Sequence, residues 1–123
     1  MAYEIPVLDL SLPCSTQDLS TRQYHFVKLS TAGVVELSTT IGGRALGVLQ
    51  NKPSASALAQ VRVHGVTKVY SDGTLGPGEM VAASSVGRAQ ASTAGSYQLA
   101  VVLDGSTASA GVITALLQTP ATT

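Results

Sequence analysis

The feature that most limits how this chain can fold is its punctuation. Short apolar runs alternate with turns, and no run holds a helical period over several turns of helix. The turns read "STAG", "IGG", "QNKPS", "SDG", "GPG", "SVG", "TAGS" and "LDGS". Each is rich in residues that accept a tight backbone bend. Between them, "YHFVKL" places Tyr24, Phe26 and Lys28 on one face and His25, Val27 and Leu29 on the other. "AQVRVHGVTKVY" alternates, with Val61 and Val63 inward and Arg62 and His64 outward. Gly65 interrupts that run as a bulge or tight bend and shifts the buried face. "QLAVVL" and "GVITALLQ" suit strands buried on both sides. Helix is confined to a short turn in "STQDLSTRQ", capped by Ser15 or Thr16, and another in "SASALAQ". The expected fold class is therefore mostly β: a compact, single-domain, barrel-like fold with an extended N-terminal arm and little helix.

With 123 residues the chain makes one domain with a modest core. Only 11% of residues are charged, against about 25% in ordinary domains, while 45% are hydrophobic. Ser, Thr, Ala and Gly must cover much of the surface. With zero net charge, such a surface favours association, so part of it is expected to be buried against other chains. Seven basic residues balance seven acidic ones with no run of either, which argues against nucleic-acid binding. The one cysteine, Cys14, has no partner for an internal disulfide and points to an intracellular folding site. The N-terminus carries Glu4 and Asp9 where a signal peptide needs basic residues. The longest apolar stretch, "LAVVL", falls far short of a membrane span.

The chemistry-bearing residues do not assemble into a motif. "GGRALGVLQNKP" has the Gly42–Gly47 spacing of a phosphate-binding loop, but Val48 and Leu49 stand where Lys and Ser or Thr are needed. It reads as a turn feeding a buried strand. Cys14 with His25 or His64 lacks the local arrangement of a nucleophile and base, and these three residues lack metal-ligand spacing. "TASAG" has Thr107 where a nucleophile elbow needs glycine. The acidic residues are scattered singly. Lys68 in "VTKV" bears a faint likeness to the hairpin lysine of a carrier domain, but its flanks fit a solvated strand lysine better. No catalytic residue, cofactor or metal ligand is assigned, and the chain is not expected to be an enzyme.

An internal repeat runs at a spacing of about 54 residues. Val27, Ser30 and Gly33 match Val81, Ser84 and Gly87; Ser38 and Thr39 match Ser92 and Thr93; Val48 and Leu49 match Val102 and Leu103. With a one-residue gap, "ASA" at 55–57 matches "ASA" at 108–110. Residues 26–63 and 80–117 are expected to form related β units, with Gly33 and Gly87 in equivalent turns. The chain then divides into an arm (1–18), a β-rich domain (19–118) and a short tail (119–123). In the arm, Tyr3, Ile5 and Val7 lie on one side, and Leu8, Leu10 and Leu12 follow after a phase slip. Pro6 and Pro13 remove two backbone donors, so an edge strand or extended arm fits better than a central strand. These six apolar side chains are the candidate surface for binding a partner protein or a neighbouring subunit.

"QYHFVKLSTAGVVEL", "ALGVLQNKP", "AQVRVHGVTKV" and "LGPGEMV", taken in order, resemble the small capsid decoration (cement, head-stabilising) proteins of tailed bacteriophages. The resemblance spans about Leu19 to Leu117, and its most specific pieces are "GVLQNKP" and "VRVHGVTKV". It implies a β-tulip-type fold and binding to the outer capsid surface at three-fold or quasi-three-fold positions. It further implies partnership with the major capsid protein, toward which the arm residues Tyr3, Ile5, Val7, Leu8, Leu10 and Leu12 are the candidate contacts, homotrimers, and synthesis in the host bacterial cytoplasm. The alternative is a non-catalytic oligomeric β domain of a small-molecule-binding or carrier type.

Overall fold

The computed structural model describes residues 4–105 and 111–122. The described chain is all strand, without helix: β1 (Ile5–Pro13), β2 (Phe26–Leu29), β3 (Val35–Leu37), β4 (Gly47–Leu49), β5 (Leu58–Tyr70), β6 (Met80–Ala83), β7 (Ala89–Ala91), β8 (Tyr97–Asp104) and β9 (Val112–Thr122). All ladders between them are antiparallel and form one curled sheet in the order β3-β2-β4-β5-β9-β8-β6-β7, with β1 also on β5.

The two expected helical turns do not form. Ser15 Oγ accepts the Gln17 N–H at 3.1 Å, and Asp18 Oδ1 accepts the Ser20 N–H at 2.9 Å. These bonds close successive side-chain turns that satisfy the backbone locally, and no helix follows either of them. In "SASALAQ", Leu58–Gln60 instead open β5.

β5 organises the sheet because it is long enough to serve twice. β1 runs along one edge of it, from Ile5↔Val66 to Pro13↔Leu58. On the other edge β4 pairs with Val61 and Arg62, and β9 pairs from Gly65 to Tyr70. The first half of β5 therefore closes one curl, β1-β5-β4-β2-β3. There Cys14, just past β1, bridges back to Val35 of β3. The second half opens another curl, β5-β9-β8-β6-β7, where Ser71, just past β5, bridges to Ala89 of β7.

The two curls share a register. Val27↔Leu37, Lys28↔Glu36 and Leu29↔Val35 recur as Val81↔Ala91, Ala82↔Gln90 and Ala83↔Ala89. In the first hairpin Ser30 Oγ accepts from Ala32 and Val34, and in the second Ser84 Oγ accepts from Val86 and Arg88. Gly33 and Gly87 take the left-handed conformation at the two turns, with φ of 79° and 76°. Residues 108–110, the second "ASA", lie outside the described residues.

Each curl wraps a core. The first cluster contains Phe26, Val48, Val69, Leu75, Val81, Leu99, Val102, Ile113 and Leu117. The second contains Cys14, Leu19, Val27, Val35, Leu37, Leu49, Ala59 and Val61. Phe26 and Val27 are adjacent on β2, fully buried, and belong to different clusters, as do Val48 and Leu49 on β4. β4 and the first half of β2 are thus buried on both faces. Gly47 begins β4 so close to β5 that a Cβ there would clash with the Arg62 carbonyl; this explains the last glycine of "GGRALG". On β5, Val61 and Val69 have the same parity but enter different cores. Gly65, at φ 114°, lies between them and permits the change of face.

The runs "QLAVVL" and "GVITALLQ" depart from the two-sided burial expected of them. Leu103, Val112 and Leu116 are exposed, because each strand has one face on the first core and one outward.

Candidate interaction surfaces

The segment read as an arm is β1, an edge strand on the chain's own β5, and its other edge has no strand partner among the described residues. The ladder is irregular between Pro6 and Leu8 and between Leu8 and Asp9, where the apolar pattern slips phase in the sequence. Tyr3 lies outside the described residues. Ile5, Val7 and Leu8 are exposed, at 55%, 74% and 43%. Leu10 and Leu12 are half-buried, and Leu12 packs on the second core. The five described arm residues therefore divide: Leu10 and Leu12 are partly covered, Leu12 by the second core, while Ile5, Val7 and Leu8 are presented to solvent. At the other terminus β9 continues through the residues read as a tail, with Gln98↔Ala121 and Tyr97↔Thr122 in register.

A residue expected to face outward fastens β1 instead. Arg62 is buried, at 7% exposure. Its Nε donates to Asp9 Oδ1 at 2.9 Å and its Nη2 to Asp9 Oδ2 at 3.2 Å, a two-pronged bond to a β1 carboxylate. Nη1 donates to the Val66 carbonyl at 3.2 Å and to Glu4 Oε1 at 3.4 Å. The Asp9 hydrogen bonds hold the guanidinium charged and push its pKa up. Strand alternation misplaced Arg62 because it takes no account of a carboxylate arriving from a distant segment; the pairing Asp9↔Arg62 brings it there.

Register also aligns an apolar strip across five strands. Met80 pairs with Val101, Val101 with Leu116, Leu116 with Val66, and Val66 with Ile5. Directly opposed residues project from the same face. Leu116 is 43% exposed and Ile5 more so, whereas Val66 is nearly covered. The strip ends at the free edge of β1, and it carries no charged residue.

A groove of about 530 Å³ opens where β4 leaves β5 and β9 joins it. Its walls include Leu29, Leu46 and Val63, with Lys28, Arg44 and His64 at its polar parts. Lys28 Nζ lies 3.7 Å from Glu36, and Arg44 stands 5.8 Å over the Tyr97 ring.

The structure keeps the candidate catalytic residues separately engaged. The Cys14 thiol donates to the Gln17 carbonyl at 3.7 Å, and burial pushes its pKa up. His25 Nδ1 donates to the Gln23 carbonyl at 3.1 Å, and burial lowers its pKa. His64 is exposed on β5. Lys68 lies within β5, paired with Thr114, with Nζ 5.8 Å from the Tyr24 ring centroid; it is not at a hairpin tip. Among the described residues no group of three or more His, Cys, Asp or Glu is placed to hold a metal ion.

No family model matches the sequence, and no curated protein matches it closely. Among solved structures, the chain is similar to the N base of head fiber gp8.5 of bacteriophage phi29. The TM-score is 0.71 at 13% identity, over 90% of this chain and 95% of that one. What the two share is the fold. The match extends over most of both chains.

Proposed function

We propose that this chain is a non-catalytic structural protein of a bacteriophage virion that binds the exterior of the capsid and reinforces the head. The observation that carries this reading is the fold shared with a phage head fiber base over 90% of the chain. The sequence resemblance to decoration proteins supports the finer part, attachment to the major capsid protein at three-fold or quasi-three-fold positions as a homotrimer. The surface is suited to that role. β1 offers a strand edge that is unpaired among the described residues, and an added strand gains main-chain hydrogen bonds while side chains set specificity. Ile5, Val7, Leu8 and Leu116 are exposed apolar side chains of the kind that protein contacts bury.

The test is co-sedimentation with purified capsids lacking the protein, followed by electron cryomicroscopy. Wild type should co-sediment at saturable stoichiometry and appear as three-fold density. A Val7→Ser/Leu8→Ser variant, with both side chains already in solvent, should stay folded and lose binding. Wild-type protein that never co-sediments refutes the capsid role. Unaltered binding by the double variant refutes the β1 surface, and single-copy density refutes the trimer.

A further inference from the structure

Seven cations are spread along this sequence without a run, yet three of them converge in space. Arg22 comes from the bend before β2, Lys52 from the β4–β5 connection, and Arg88 from the residue preceding β7. They line one pocket of about 390 Å³ together with His25 and Tyr70. No carboxylate lines it. Of the other four cations, Arg62 holds Asp9 and Glu4 and Lys28 faces Glu36, while Arg44 and Lys68 stand singly near the rings of Tyr97 and Tyr24. In a chain with as many acids as bases, leaving three cations together without an anion costs electrostatic energy, so the arrangement calls for a compensating charge.

Two buried nitrogens in this pocket also lack a partner among the described residues. His25 is 3% exposed, and its Nδ1 is committed to the Gln23 carbonyl while its Nε2 has no hydrogen bond. Arg88 Nε is likewise buried and unbonded. A buried polar group without a partner costs about 1–3 kcal/mol. The Tyr70 ring, with its centroid 5.2 Å from that of His25, fixes the imidazole in place. The charged groups facing His25 are Arg22 and Arg88, and both disfavour its protonation.

The geometry points to a binding site for a phosphate dianion, free or as the monoester of a small polar molecule, held by Arg22, Lys52 and Arg88 and reached by His25 Nε2. A tetrahedral dianion accepts from several cationic donors at once, which a monoanion matches less well. The pocket volume lies within the range of about 300–1,000 Å³ typical of small-ligand sites. Neutral His25 Nε2 accepts from the hydroxyl of hydrogen phosphate; facing a monoester dianion, which has no such proton, His25 takes one from solvent as the dianion cancels the field of the arginines.

The test is an NMR titration of the full chain with inorganic phosphate, glycerol 1-phosphate and acetate at constant ionic strength. Saturable shifts at His25, Arg88 and Tyr70 with phosphate or with the ester are expected. The ester binding more tightly identifies a monoester site; equal binding identifies a free-anion site, and both support the proposal. The His25 pKa should rise in the bound form. Lys52→Gln, a change at an exposed side chain that leaves folding intact, and Arg88→Gln should each weaken binding about tenfold, one charged contact each. Absence of saturation, acetate binding as tightly as phosphate, or unchanged affinity in folded Lys52→Gln would overturn the assignment.

Discussion

Removing the Asp9 carboxylate tests whether the Arg62 bond is what fastens β1. In Asp9→Ala, the guanidinium keeps the Val66 carbonyl at 3.2 Å and Glu4 at 3.4 Å but loses its two-pronged partner. Breaking a fully buried pair costs about 3–5 kcal/mol and an exposed one less than about 1 kcal/mol. Here the Arg62 side chain is 8% exposed and that of Asp9 36%, so the pair lies between these limits. The retained partners and the wet carboxylate side reduce the cost, giving about 2 kcal/mol. With an unfolding entropy of about 2.1 cal/mol/K per residue over 123 residues, that is a fall in Tm of about 8 °C. Urea unfolding of Asp9→Ala, Arg62→Met and the double variant measures it. The cycle should give a coupling energy of about 1–2 kcal/mol. Hydrogen exchange should show the β1 amides opening earlier in Asp9→Ala than those of β9. Additive effects, or a loss below about 0.5 kcal/mol for Asp9→Ala, would show that Leu12 and the backbone ladder hold β1 without the ion pair.

Three further outcomes follow from single residues. Because burial lowers the His25 pKa, the fold favours its neutral form. Without bound anion, stability is full above the ordinary value of 6.5 and is lost as pH falls through it toward the folded value; His25→Asn should flatten that dependence in urea melts from pH 7.5 to 5. Cys14, 3% exposed with its pKa raised, should react slowly with a thiol reagent in the native state and rapidly in urea; equal rates would place it outside the core. Gly33→Ala and Gly87→Ala should each lose about 1 kcal/mol from a left-handed backbone. Gly87→Ala should lose about 1–3 kcal/mol more, because its Cβ meets Leu37 Cδ1 at 2.6 Å and the Phe26 carbonyl at 3.0 Å, whereas the Gly33 Cβ meets nothing; equal Tm losses would contradict that packing.

What could be read from the sequence was what local chemistry dictates. Turn residues and alternating runs announced the β class, because glycine at positive φ and period-two burial act over a few residues. The likeness of two hairpin turns is local in the same way: Ser30 and Ser84 each accept from the backbone N–H groups two and four positions on, and each is followed three positions on by a glycine at positive φ. What stayed hidden depends on segments far apart in the chain. Arg62 reads as a surface residue on β5 until Asp9 is laid beside it, and its burial is tolerable only with that carboxylate in place. The dual use of β5 was hinted at by Gly65 alone, since no local pattern says that Val61 and Val69 serve different cores. The cationic pocket was invisible for a stricter reason. Arg22, Lys52 and Arg88 are isolated in sequence, and a search for charge runs finds nothing. They meet because the bend before β2 and the β4–β5 connection lie together at one end of the first curl, beside the β6–β7 hairpin of the second. There Phe26 N–H donates to the Gly87 carbonyl at 2.6 Å, and Leu19 N–H to the Pro53 carbonyl at 3.1 Å. A site assembled by the junction of two curls needs both to be folded, so its ligand should stabilise the whole domain against urea rather than one half of it.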